Sequence, residues 1–350
     1  MVIQSKWHYI WRNKDLSCLW QTTYCGERRD RIQDIVYVRL TQLVEYLTFN
    51  QGAPGSSPGS STSNSPDYAG TFLYPKIKES WYFTMLNDLD LISHDFPTDI
   101  KIYPIADVHL GAMEHAEEEW SAFLKKVKAE DAYLILAGDL LNNGIRSCKF
   151  VNPFEETIRP RDAKRRMVKY LEPVRDRILC VVSGNHERRT YRDDDQDLTY
   201  DICNKLDIEE LYRENIAYMR VGVGERDSKR KNGPVPVNVY TFAVTHGSGG
   251  GIYTGAAVNR DERFGNVIDG LDCLVTGHVH KGFVTKPAKI VIDTRNNVVK
   301  MTHYTVVSAV SWLNYGGYAA RGMLLPAQVC DPQIIQLSAS RSGKKITTLW

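Results

Sequence analysis

The chain has 350 residues, 43% of them hydrophobic and 25% charged, with a formal net charge of +2. That composition supports a buried core and provides no global field that would draw it to nucleic acid or an anionic membrane. No apolar run approaches the ~18 residues of a spanning helix, and the seven scattered cysteines, with no C-x-x-C pair, argue against a disulfide scaffold and for a reducing, cytoplasmic compartment.

The chain opens MVIQSKWHYIWRNK, without the continuous apolar stretch of a signal peptide. Ile35 to Phe49 has the apolar spacing of an amphipathic helix, and Gln51 to Ser65 (QGAPGSSPGSSTSNS) has the content of a flexible linker. A sharper reading competes with that small tethered appendage. Thr41 to Glu45 can be coded ACTCAGTTGGTAGAG, Leu47 to Gln51 CTGACTTTTAATCAG, and Pro54 to Gly59 CCGGGTTCGAGTCCCGGG. In order these resemble the D-arm, the anticodon stem-loop and the T-arm of a transfer-RNA gene translated as protein. Residues 1–65 are therefore expected to be a non-native extension, residues 66–98 an uncertain lead-in, residues 99–338 the working domain and residues 339–350 a tail. A gene beside such a locus suggests a prophage origin.

From Asp99 short apolar runs alternate with longer helix-compatible segments. Lys101 to Ala106, Tyr133 to Ala137, Ile178 to Ser183, Val239 to Thr245 and Leu271 to Thr276 read as buried strands, and His303 to Val310 as a further one. Glu117 to Ala129, Pro160 to Asp176 and Thr199 to Tyr212 are the helix candidates between them. The alternation predicts a layered α/β domain.

Each of the first five strands ends in residues that can bind a metal. Asp107 and His109 follow the first, Gly138-Asp139 the second, Gly184-Asn185-His186-Glu187 the third, His246-Gly247 the fourth and Gly277-His278-Val279-His280 the fifth. Ligands of open α/β sheets bind at the carboxyl ends of strands. Asp, His and Asn without thiolates suit manganese, iron or zinc. Seven of these side chains as candidate ligands are too many for one ion and fit two that share a carboxylate, roughly 3.5–4 Å apart. Five of the nine histidines lie in these motifs.

This set resembles the calcineurin-like metallophosphoesterase superfamily, and the resemblance covers Lys101 to Ala309. It implies a four-layer α/β/β/α sandwich of two mixed sheets flanked by helices. It also implies two divalent transition-metal ions, manganese first with iron or zinc as alternatives. Asp107, His109 and His280 would hold the first ion, Asn185, His246 and His278 the second, with Asp139 bridging. His186 would act at the scissile phosphate as general acid or charge stabiliser, and Glu187 would orient its imidazole. The activity implied is hydrolysis of a phosphodiester, in a nucleic acid or nucleotide, by a metal-bridging hydroxide. Ile105 to Gly111 (IADVHLG) is closest to the DNA-repair nuclease branch. The alternatives are a phosphomonoesterase acting on nucleotides or phosphoproteins and, from a different class, a metal-binding scaffold without catalysis.

Substrate-side signals are weaker. Arg159, Arg161, Lys164, Arg165, Arg166 and Lys169 can track a phosphate backbone or form a solvated helix face. Arg188 and Arg189 follow the third motif and can grip a phosphate, or pair with Asp193 to Asp195. Asn142 and Asn143 can donate to a phosphoryl oxygen or cap their loop, and Asn143 is carried forward as a substrate-binding candidate. His246 opens a glycine-rich run able to bend around an anion. Asn314 to Tyr318 (NYGGY) offers aromatics for stacking or for the core. A phosphate-ester substrate is the one partner expected, with no membrane; the oligomeric state is not readable.

Overall fold

In the computed structural model the structure describes residues 89–146, 148, 153–226, 235–250, 253–327 and 329–350. The expected extension over residues 1–65 and the lead-in as far as Asp88 lie outside them. All described residues belong to the unit Tyr74–Trp350.

The elements in chain order begin with β1 (Ile92–Phe96), β2 (Ile100–Ile105), α1 (Glu117–Ala129), β3 (Tyr133–Ala137), α2 (Pro160–Leu171) and β4 (Ile178–Val182). Then come α3 (Arg188–Asp194), α4 (Leu198–Lys205), β5 (Tyr212–Arg213), β6 (Ile216–Arg226), β7 (Val235–Thr245), α5 (Thr254–Asn266) and β8 (Cys273–Thr276). β9 (Phe283–Thr285), β10 (Ala288–Asp293), β11 (Val298–His303), β12 (Thr305–Ser308), α6 (Gly317–Arg321), β13 (Ile334–Leu337) and β14 (Ile346–Leu349) complete the described part.

Two six-stranded mixed sheets carry the domain. The first runs β14-β13-β2-β3-β4-β5, with β2 to β5 parallel and β13 antiparallel to β2. The second runs β1-β6-β7-β8-β12-β9, where β7, β8 and β12 are mutually parallel. Alternation along the strands divides their side chains between two cores. Ile102, Ile135 and Leu179 of the first sheet meet Met219, Phe242 and Val275 of the second. Tyr103, Ile105, Leu134 and Leu136 point the other way, onto Trp120, Phe123, Met167 and Ile202 of α1, α2 and α4. The far side of the second sheet packs Ala243, Leu274 and Val306 against Ala257 of α5. The result is helix, sheet, sheet, helix, the four layers expected.

Local sequence accounts for the helices. α1 buries Trp120, Phe123, Leu124 and Val127 on one stripe, with three glutamates in its first turn and Lys126 and Lys128 in its last, each sign favoured by the helix dipole. The expected helix from Pro160 to Asp176 stops at Leu171 and continues as a 3-10 segment, Glu172–Arg177. Pro173 has no N–H for the next α-helical bond. The expected helix from Thr199 to Tyr212 is likewise shorter. Asp197 caps its start through Thr199 N and Tyr200 N, and the chain turns at Asp207, which has a left-handed φ of 54°. α5 gave no sequence signal because its buried stripe is Ala257, Asp261 and Gly265. β7 begins four residues before the expected Val239 and pairs with β6, whose alternation is blurred by Gly222 and Gly224. β1 pairs with β6 and β14 with β13, so the domain reaches beyond the expected limits of 99 and 338 at both ends. No described helix is long and apolar enough to cross a membrane.

Candidate metal centre and active site

The parallel strands β2, β3, β4, β7 and β8 all end at one edge of the sandwich, and the five motifs meet there. Turning sharply off a strand end requires unusual backbone. Asp107, His109, Asp139, His278 and His280 all have φ between 49° and 72°, a region that costs a non-glycine residue energy and concentrates at functional sites. Two glycines make the close approach of β3 and β4 possible. A Cβ on Gly184 would lie 2.1 Å from both Asp139 N and Asp139 Oδ1, and one on Gly138 would lie 2.7 Å from Gly184.

Three groups of side chains have ligand atoms within 4.8 Å of one another and could hold a cation: Asp107-His109-His280, Asp139-His246-His278 and His109-Asp139-His186. His109 Nε2 is 3.1 Å from His280 Nε2, and Asp107 Oδ1 is 3.3 Å from His280 Nε2. Across the centre Asn185 Oδ1 lies 3.0 Å from His246 Nε2 and 2.7 Å from His278 Nδ1. Asp139 Oδ2 faces both sides, 3.2 Å from His246 Nε2 and 3.9 Å from His109 Nε2.

The donor set suits divalent metal. Asp107 and Asp139 are 0% and 1% exposed, and Asp107 Oδ1 and His109 Nδ1 have no hydrogen-bond partner among the described residues. A buried carboxylate oxygen without a donor is costly unless a cation takes it. Two imidazole nitrogens facing each other with the Asp107 and Asp139 carboxylates beside them make nitrogen and oxygen ligation of the kind manganese, iron and zinc accept. Burial opposes ionisation of Asp107, yet the facing His280 and His109 hold its carboxyl well below the usual range. Burial also opposes protonation of His246, but the Asp139 carboxylate outweighs it and carries the imidazole up to about 10. The centre is thus strongly anionic before its imidazoles are counted.

Backbone contacts aim the ligands. His246 Nδ1 donates to Ala137 O at 2.8 Å, which turns Nε2 toward Asn185 and Asp139. His278 N donates to Asp107 Oδ2, and His186 N donates to Asp139 Oδ1, both at 2.8 Å.

His186 lies at the mouth of this centre, its Nε2 3.7 Å from Asp139 Oδ2 and its ring 4.3 Å from that of His109. Burial pushes its imidazole down to about 3. The expected contact with Glu187 is not made. His186 Nδ1 instead donates to Asn142 O at 2.7 Å, while the Glu187 carboxylate accepts from Asp139 N, Gly184 N and Leu141 N at 3.2, 3.0 and 2.8 Å. Glu187 therefore ties the β3 loop to the β4 loop. Burial and the neighbouring Asp139 push it up to about 7, against the Leu141 N–H and the nearby His246.

The three substrate-side candidates separate. Arg189 lines the cavity in front of the metal side and donates to Asn142 O at 3.0 Å. Arg188 does not line that cavity; its Nη2 is spent on Glu214 O and Asn215 Oδ1, both at 2.6 Å. Asn143 is 1% exposed and its amide binds His186 O and the Thr190 hydroxyl, so it props the loop and does not face a substrate. Asn142 lines the cavity in its place, with its amide held by Glu156 at 2.6 Å. The basic run on α2 is largely paired: Lys164 with Asp201, Arg166 with Glu117, and Arg161 and Arg165 with Asp162.

No curated protein matches the chain. Among solved structures it is similar to a calcineurin-like phosphoesterase, YfkN from Bacillus subtilis, at 11% identity over 71% of this chain and 88% of that one, with a TM-score of 0.29. It is also similar to a point mutant of a cold-active protein tyrosine phosphatase, at 10% identity over 81% and 88%, with a TM-score of 0.28. Scores this low bear on neither fold nor function. Residues 100–282, more than half of the chain, match the model of the calcineurin-like phosphoesterases, and the chain belongs to that family of metallophosphoesterases.

Proposed function

We propose that this phosphoesterase hydrolyses phosphodiesters at a centre for two divalent ions, manganese foremost. The observation that carries the reading is the pair of ligand groups, Asp107-His109-His280 and Asp139-His246-His278, with Asp139 facing both and Asn185 completing the second. Two ions held there would supply Lewis-acid activation of a water and neutralise charge on the phosphoryl group.

The chain's own residues do the rest. Asn142 O fixes the His186 ring through Nδ1, which leaves Nε2 toward the cavity. A phosphate bound there brings negative charge that favours the imidazolium against burial, so Nε2 can pass a proton to the departing oxygen. Arg189, which lines the same cavity as His186, can donate to a non-bridging phosphoryl oxygen. Likeness of Ile105 to Gly111 to the DNA-repair nuclease branch supports a diester. The five described cysteines are free thiols, which supports a cytoplasmic setting, and the transfer-RNA-like coding before Pro66 supports a prophage.

The test compares bis-p-nitrophenyl phosphate with p-nitrophenyl phosphate after manganese loading. The diester should be preferred, and a chelator should abolish turnover. Faster release from the monoester would overturn the diester reading in favour of a monoesterase.

A further inference from the structure

The metal centre occupies one side of a cavity of about 580 Å³. That is the size that encloses a small organic molecule, roughly 300–1,000 Å³, and far more than a phosphate needs. The lining also includes a group of apolar side chains. It is formed by Met113, Leu313, Tyr315, Leu324 and Leu325. Three of these are well exposed for apolar side chains: Met113 at 65%, Tyr315 at 54% and Leu325 at 49%. Apolar side chains gathered in a concavity gain most when an apolar group of matching size covers them.

This wall is fixed to the metal loop by backbone. Trp312 N donates to the carbonyl of Asp107, Ala116 N to Trp312 O and Asn314 N to Glu114 O, at 3.0, 2.9 and 2.8 Å. Trp312 itself is fully buried against Trp120 and Phe123, with ring centroids at 5.0 and 4.9 Å. Tyr315 OH donates to Leu324 O at 3.1 Å, which holds the ring beside the leucines. A wall ordered before binding loses little entropy when a ligand arrives.

Charge on the rim decides what kind of ester fits. Both signs line the cavity, Glu114 and Glu155 beside Arg189, Lys281 and Arg321, and Arg321 is bound to Glu155 through Nη1 and Nη2 at 3.1 and 2.7 Å. With the two signs interspersed there and the α2 cations largely paired elsewhere, the lining offers a long polyanion no uniformly basic track.

We infer that this site takes a small phosphodiester whose second substituent is an uncharged, ring-sized organic group seated on the Met113-Leu313-Tyr315-Leu324-Leu325 wall, and not a polynucleotide. The inference rests on the phosphoesterase reading and names the substrate class of that site. The ring is an aryl group or a nucleobase, which share the chemistry the wall recognises.

The test uses three diesters with the same leaving group: methyl, phenyl and 5′-thymidyl p-nitrophenyl phosphate. Each is assayed with the manganese-loaded full chain and corrected for its uncatalysed rate. kcat/KM should rise roughly tenfold or more from methyl to phenyl, and the thymidyl ester separates a nucleoside preference from a simple aryl one. Tyr315→Ala and Leu324→Ser should each bring the phenyl-to-methyl ratio toward one. Phenyl phosphate should also raise the unfolding temperature of the manganese-loaded protein at lower concentration than inorganic phosphate, a binding readout independent of turnover. Equal turnover of the methyl and phenyl esters, or faster cleavage of a single-stranded oligonucleotide than of any of the three, would overturn the inference while leaving the enzyme a phosphodiesterase. Hydrolysis of none of these substrates would instead remove the phosphodiesterase reading on which it rests.

Discussion

Two sets of side chains line the one cavity, and they are made of different material. The metal side is a set of aspartates, histidines and an asparagine at the carboxyl ends of parallel strands, several on left-handed backbone and with Asp107 and Asp139 fully buried. The other set is Met113, Leu313, Tyr315, Leu324 and Leu325 on irregular chain after β12 and before α1, with Met113, Tyr315 and Leu325 exposed and the other two partly so. The first is dictated by coordination chemistry, where a change of one atom type matters. The second is dictated by packing, where shape and apolar area matter and many residues serve. Substitutions should therefore fail differently on the two sides: abruptly at the metals, and in graded, substrate-dependent fashion at the wall.

The largest effect belongs to Asp139→Ala. A carboxylate that faces both ligand groups cannot be replaced from one side, so metal content and hydrolysis should fall together, the latter by on the order of 10⁴-fold. Elemental analysis alongside diester turnover checks it. A variant that kept full metal and activity would remove Asp139 from the centre.

His186→Ala comes next and sharpens the boundary between ligand and catalyst. The His109-Asp139-His186 convergence makes a metal-binding role for His186 geometrically open. As a proton carrier its loss should lower kcat by roughly 10²–10⁴-fold with metal content preserved. Loss of an ion from this variant would reassign it as a ligand.

Trp312→Ala tests the scaffold shared by both walls. Removing a fully buried indole from the Trp120-Phe123 cluster should cost ~3–5 kcal/mol of stability, seen as a lower midpoint of thermal unfolding. A midpoint equal to wild type would mean that the wall is not anchored through this cluster.

Asn143→Ala has a smaller effect of a different kind. It leaves the His186 carbonyl and Thr190 hydroxyl without their amide partner, which should cost ~1–3 kcal/mol of stability. A raised KM with unaltered stability would return Asn143 to the substrate site. Smallest of all, a chain starting at Pro66 should bind metal and turn over diesters like the full chain; a marked loss of either would show that residues 1–65 contribute.

What the sequence made legible follows the same division. Asp107, His109, Asp139, Asn185, His246, His278 and His280 could be picked out because chemistry restricts the residue types and strand ends restrict their places. Fully buried strands such as β3 and β4 were visible as β-branched and leucine runs, and α1 as a full apolar stripe. β6 and α5 were not, because glycine blurs the alternation of one and a small or polar stripe hides the periodicity of the other. Asn142 and Asn143 are neighbours of identical type, and only the backbone turn at Asn143, with φ of 47°, decides which one faces the cavity. The resemblance implied that Glu187 orients His186, but from the N-cap position of α3 its carboxylate reaches Asp139 N and Leu141 N of the β3 loop instead. The apolar wall had no motif to announce it. Its one signal was the Asn314 to Tyr318 run, whose Tyr315 lines the cavity, while Met113, Leu313, Leu324 and Leu325 lie in segments with no helical or strand period.

The central claim is that the five strand ends assemble a centre for two ions, and the most direct test is to count them. Wild-type protein loaded with manganese and freed of excess should hold two ions per chain by elemental analysis, because Asp107, His109 and His280 on one side and Asn185, His246 and His278 on the other each complete a site with Asp139. A stoichiometry of one, or no bound manganese at all, would contradict the account.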